Sequence, residues 1–229
     1  MIRQLTYLGL FCGSLVPVLF SNTFNNSFQV IVAFFGAFVW TISLGIAAII
    51  WRFGSMIFEN ILFYSIVAVL LQQIGKIGFY YAISLGEQKL VATEKSGKLK
   101  ISGYIPMNTN LINLANAAGF GMGIIAQISI TINRAMEDTQ YGISKTNHLD
   151  SQIPNTYVSI LIMVLPFLNL ILHEYLTLWT WKSLDSLKEE SLSLQTLLKA
   201  KGVWIATIAH IFFVVFSYGL GVCAKASAN

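Results

Sequence analysis

Long apolar runs, at about 5–21, 28–51, 61–85, 111–133, 157–181 and 202–222, alternate along this chain with short polar stretches. A hydrocarbon core of about 30 Å needs roughly 20 helical residues to cross it, and each run approaches or exceeds that length. The pattern predicts six membrane-spanning helices. Helices satisfy their backbone hydrogen bonds internally and isolated strands do not, so the expected fold class is an all-α transmembrane bundle. No repeat, low-complexity tract or soluble region interrupts the alternation, and residues 1–229 read as a single integral-membrane domain.

The first run follows Arg3 and has the size of a secretory signal. It leads into FSNTFNN without a small-x-small cleavage pattern, so residues 5–21, with Pro17, are expected to remain as a membrane helix. Composition agrees with a lipid setting: apolar types make up 55% of the chain and charged types 10%, against roughly a quarter in soluble domains. The formal charge of +4 is carried by basic residues flanking the apolar runs. They form no aromatic-interleaved patch, so no nucleic-acid partner is implied. Cys12 and Cys223 lie in apolar sequence at opposite ends, without a CxxC pair or ligands at metal spacing, so neither a disulfide framework nor a metal site is expected.

Loop charge predicts orientation. Lys89, Lys95, Lys98 and Lys100, with Lys182, Lys188, Lys199 and Lys201, lie on one side; Arg3, Arg52, Arg134, Lys145 and Lys225 lie on the other. The richer side is expected to be cytosolic and the N-terminus lumenal or extracellular. The sequon Asn25-Asn26-Ser27 then falls in a cytosolic loop and stays unglycosylated. In the loop 182–201, Leu184, Leu187, Leu194 and Leu198 recur at near-heptad spacing, which predicts a cytosolic extension of the fifth helix resting on the bundle or the lipid surface.

Few polar groups remain inside the spans, and each needs a partner or a task. His173 lies eight residues before the end of its run and His210 eight residues after the start of the next, so both sit roughly 12 Å inside the same end of the bundle. Consecutive antiparallel helices are usually adjacent, so the two imidazoles can meet. Several tasks fit them: an interhelical polar pair, ligation of a b-type haem, a proton or solute pathway, or neutral space-filling. Glu174, about 100° further round the helix, must point elsewhere. In the third span Gln72 and Lys76 share a face between Gly75 and Gly78, and Lys76 is expected to snorkel toward the level of Tyr80 and Tyr81.

The fourth span, NLANAAGFGMGIIAQISITIN, places Ala115, Gly119 and Gly123 four apart, with Gln127 next. Asn116, Gly123 and Gln127 fall within about 40° of arc, with Gly119 beside them. Such a small and polar face lets another backbone approach and gives the amides something to bond. Catalytic machinery is missing from the pattern. Asp138, Asp150 and Asp185 are all in predicted loops, the residue four after His173 is Thr177, so there is no HExxH, and no GxSG elbow occurs.

The order of these motifs resembles the anterior-pharynx-defective subunit family of gamma-secretase over nearly the whole chain. GAFVWTISLGIAAIIWRF at 36–53 is similar to that family's second helix and VAVLLQQIGKIGFYYAI at 67–83 to its third. GIIAQISITIN resembles the end of its glycine-zipper helix, and LILHEY and AHIFFVVFSYGLG resemble the segments carrying its two membrane histidines. The resemblance implies a non-catalytic scaffold that partners nicastrin, presenilin and the presenilin-enhancer subunit. Together they form an intramembrane aspartyl protease that cuts Notch-like and amyloid-precursor-like proteins. It also implies residence in the endoplasmic reticulum, Golgi and plasma membrane, and no cofactor. Gly119 and Gly123 take the first two zipper positions and His173 and His210 the histidine positions needed for assembly, with the glycine stripe expected against partner helices. Gln127 stands where the third zipper glycine is expected, so the close approach there loosens or passes to Gly121. The family has seven spans and this chain shows six, which puts the seventh in doubt: a shortened homologue and a truncated sequence both fit. A transporter using His173, Glu174, His210 and Lys76 is the alternative; pseudo-symmetric halves and broken helices, which would favour it, are not visible.

Overall fold

The fold was obtained as a computed structural model that describes residues 27–96, 107–140, 155–187 and 194–226. The first predicted span, Cys12, Pro17 and the Asn25 acceptor lie outside them. The described residues form α1 (Ser27–Gly54), α2 (Ile61–Lys95), α3 (Met107–Gln140), α4 (Asn155–Asp185), a short α5 (Leu194–Lys199) and α6 (Lys201–Ala226). Among the described residues, Ser27–Gly54, Ile61–Lys95 and Asn110–Ser129 are long and apolar enough to cross a membrane, and Lys201–Phe216 is apolar but shorter. The all-helical expectation therefore holds.

Several helices outrun the spans expected from hydropathy. The third run was expected to end near 85 and α2 continues to Lys95; the fourth was expected over 111–133 and α3 runs from Met107 to Gln140. Hydropathy marks only the lipid-soluble part of a helix, whereas backbone hydrogen bonding continues past it into water. The loop 182–201 also departs from expectation. α4 stops at Asp185, so the leucine-bearing segment is no simple extension, and α5 forms separately. Leu184 is buried and Leu187 packs on the core, whereas Leu198 faces outward.

At the other end of the bundle the chain turns sharply between α1 and α2. Asn60 caps α2, its side chain accepting from the Phe63 N–H at 3.1 Å, which satisfies one of the donors a helix start leaves open. Tyr64 returns its hydroxyl to the Phe58 carbonyl at 2.9 Å and closes the turn.

α3 is the hub, packed most extensively against α4 and α1. Its composition explains this: Ala115, Ala117, Ala118 and Gly119 leave almost no side chain between backbones, and in lipid close backbone approach is the main source of helix association. Two different faces are used. A Cβ on Gly119 would come within 2.6 Å of the Glu174 Cα, and one on Gly123 within 3.0 Å of the Leu170 Cα, so the expected glycine stripe is filled by α4 of the same chain. The physical reason is that α4 brings a matching backbone ridge, Leu170 to Glu174, to the same face.

The other face of α3 meets α1. A Cβ on Gly121 would fall on the Ala33 carbonyl, and one on Gly36 would fall on the Ala118 carbonyl. Gly121, 200° round the helix from Gly119, does not replace the missing third zipper glycine. It opens a second seam, in which Ala33 and Gly36 interlock with Ala118 and Gly121.

Candidate functional site

The intramembrane polar groups come together where α1, α2, α4 and α6 converge. His173 on α4 and His210 on α6 are buried, 2% and 5% exposed. Their rings meet edge to face with centroids 5.3 Å apart and planes at 87°. Antiparallel pairing of α4 and α6 produces this. Further along the same seam the Gly202 N–H donates to Ser183 Oγ at 3.0 Å, and a Cβ on Gly202 would come within 2.5 Å of the Trp179 carbonyl. Direct contact between the rings leaves no room for a porphyrin plane between them, so the haem alternative fails on geometry. Among the described residues no group of three or more metal-ligating side chains gathers.

Trp40 of α1 joins from the third side, its ring 6.3 Å from His173 and nearly perpendicular to it. Lys76 of α2 completes the cluster. It is 0% exposed and its side chain lies near both imidazoles. The snorkelling expected of Lys76 does not occur. Trp181 of α4 occupies that side, donating its indole N–H to the Lys76 carbonyl at 3.2 Å and packing on Phe79 and Tyr80 at ring distances of 5.6 and 5.9 Å. Four atoms in the cluster, Trp40 Nε1, Lys76 Nζ, His173 Nδ1 and His210 Nδ1, have no hydrogen-bond partner among the described residues.

A ladder of polar contacts ties α2 to α4 beside this cluster. Gln73 Nε2 donates to Thr180 Oγ1 at 2.8 Å, the Trp181 bond follows, and Tyr80 donates its hydroxyl to Asp185 at 3.0 Å. The rising numbers on both helices show that they run parallel. Thr180 donates in turn to the Leu176 carbonyl at 2.8 Å, so its hydroxyl both accepts and donates. Removing this side-chain pair is expected to cost about 1 kcal/mol of coupling. Thermal unfolding of Gln73→Leu, Thr180→Val and the double variant measures it; an additive double variant would show that the bond contributes nothing.

Of the residues singled out in the sequence, His173 and His210 are brought together, and Gly119 and Gly123 lie one helix away on the face that grips the backbone of His173 and Glu174. Gln127 is buried further along α3, Asn116 and Glu174 are half-buried, and Glu174 presents its backbone to Gly119. Sequence reasoning missed Trp40 and Trp181. Both are aromatic residues in apolar runs, and nothing in their spacing distinguishes an indole facing lipid from one packed inside the bundle.

Comparison with known proteins adds to this geometry. A family model described as Aph-1 protein matches residues 6–224. The gamma-secretase subunit aph-1 of Caenorhabditis elegans is 20% identical over 167 residues, covering 69% of this chain and 54% of its own length. The chain thus spans about half the length of the curated relative it matches.

Proposed function

The chain belongs to the Aph-1 family, and we propose from that premise that it is a non-catalytic scaffold and assembly subunit of a gamma-secretase-type intramembrane aspartyl protease. In this reading it works as one integral-membrane unit with its N-terminus lumenal or extracellular, in the endoplasmic reticulum, Golgi and plasma membrane. Its partners are homologues of presenilin, nicastrin and the presenilin-enhancer subunit, and it supports presenilin maturation and cleavage of Notch-like and amyloid-precursor-like proteins.

The observation that carries the reading is the family match over residues 6–224. Geometry supports it in a specific way. The buried polar groups sit at helix crossings, with the His173–His210 contact and the Gln73–Thr180 bond each joining two helices, as expected of groups that hold a docking frame in one shape. Large apolar side chains face outward along α1 and α6, Phe34, Phe38, Ile208 and Phe212 among them, and supply surface for lipid and for partner helices.

The tagged full chain, extracted from its native membranes in mild detergent, is expected to bring presenilin and nicastrin homologues with it. His210→Leu is expected to lower their recovery while the chain still inserts. Recovery of the chain without those subunits, or solute uptake by the chain alone in liposomes, would overturn the assembly reading in favour of a transporter.

A further inference from the structure

Independently of the assembly reading, we propose that the convergence of Trp40, Lys76, His173 and His210 is an internal binding site for a small monovalent anion of the chloride class.

Burial of Lys76 is the starting point. An ammonium taken wholly out of water must be matched by a negative charge, or else give up its proton. Among the described residues no ion pair forms at Lys76 and no carboxylate lies close enough to act on it. Nor does the rest of the chain offer one readily: Glu174 is the only acidic residue inside a predicted span, and it sits on α4 about 100° from His173, with its backbone against Gly119.

Donor chemistry points the same way. An indole N–H only donates, and a lysine ammonium carries three donors and no acceptor. Trp40 Nε1 and Lys76 Nζ are both buried without an acceptor, and each imidazole leaves Nδ1 unused. Those nitrogens can be occupied by protons, since the tautomer is free to follow its surroundings. Gln72, one turn before Lys76 on the same face of α2, has a buried Oε1 without a partner, and turning the amide over puts its NH2 end in that place. A halide accepts several such bonds at once from different directions and supplies the missing charge. Neutral water can satisfy the donors but leaves the charge unmatched. The donors come from four helices, α1, α2, α4 and α6, where these meet, so an anion held there would tie them together.

Binding to the folded state raises thermal stability by mass action. The full chain, purified in mild detergent together with any subunits that accompany it, is expected to unfold at a higher temperature in sodium chloride than in sodium gluconate at equal ionic strength. The gain should saturate with chloride. Lys76→Met, which keeps length and apolar bulk, is expected to abolish the chloride dependence. Trp40→Phe, which removes one donor and preserves the packing, is expected to shift saturation to about tenfold higher chloride, and it carries the test if Lys76→Met does not fold. Bromide in place of chloride should give anomalous density between the two imidazoles and Lys76 Nζ. Identical unfolding temperatures in chloride and gluconate, an undiminished chloride effect in both variants, or bromide elsewhere only would each overturn the proposal. Because no partner is required for any of these readouts, their failure leaves the assembly reading untouched, and loss of co-purification leaves the anion site untouched.

Discussion

Gly121→Val is expected to be among the most damaging single substitutions in this chain. A Cβ at position 121 would fall on the Ala33 carbonyl, and a carbonyl in the middle of a helix cannot swing away as a side-chain tip can. Relief requires α1 to move off α3 along the seam in which Gly36 meets Ala118. Overpacking of a close-packed interior usually costs about 1 to 3 kcal/mol, and a backbone obstacle puts this case at or above the upper end. The folded fraction surviving a heat step in mild detergent measures it. Gly78→Val is the control, because nothing lies within 4 Å of a Cβ there, and it should behave as wild type. Gly123→Ala is expected to fall between, since its nearest neighbours at 3.0 and 3.2 Å include the movable Leu170 side chain. If Gly121→Val and Gly78→Val unfold alike, α1 and α3 do not meet as described.

Trp181→Ala is the second large effect. Trp181 is 0% exposed, fills the space between α2 and α4, and is the donor to the Lys76 carbonyl. Truncating a buried tryptophan typically costs about 3 to 5 kcal/mol. Lipid replaces water as the surrounding medium, so the hydrophobic part of that cost is absent and a loss of about 3 kcal/mol is expected, from lost packing and one hydrogen bond. Trp181→Phe keeps ring contact with Phe79 and Tyr80 and loses only the N–H, so it should cost about 1 kcal/mol. The difference between the two variants in thermal unfolding separates packing from hydrogen bonding. Equal losses would mean that the N–H, and not the ring, holds α2 to α4.

The two predictions share a cause. In lipid, helices gain little by hiding apolar surface from one another, so the bundle depends on close backbone seams and on a small number of polar bonds. α3 provides the seams on two faces, toward α1 and toward α4. The ladder Gln73–Thr180, Lys76–Trp181 and Tyr80–Asp185 provides the bonds. His173 sits where the two devices meet: its backbone carbonyl lies 2.8 Å from where a Gly119 Cβ would be, and its ring touches both Trp40 and His210. A change at either seam is therefore transmitted to the cluster.

Much of this was legible in the amino-acid order, and the reason is local. Span-length apolar runs imply helices because the bilayer forbids unsatisfied backbone, and equal depth of His173 and His210 on successive helices follows from rise per residue and antiparallel connection alone. The small face at Ala115, Gly119 and Gly123 was equally visible as a repeat of four. What covers that face was not: α4 occupies it, and only the packed bundle shows this. Lys76 could be assigned a snorkelling route from its neighbours in sequence, but whether the route is open depends on Trp181, a residue 105 positions away. Gly121 and Trp40 carried no periodic signal, because a single contact with a distant helix leaves no pattern in the local sequence. Composition and spacing thus determined the fold class, the depth of the polar groups and the existence of a close-packing face. The partner of each face and the burial of the lysine side chain were decided by tertiary structure alone, because those properties belong to pairs of helices and to no single helix.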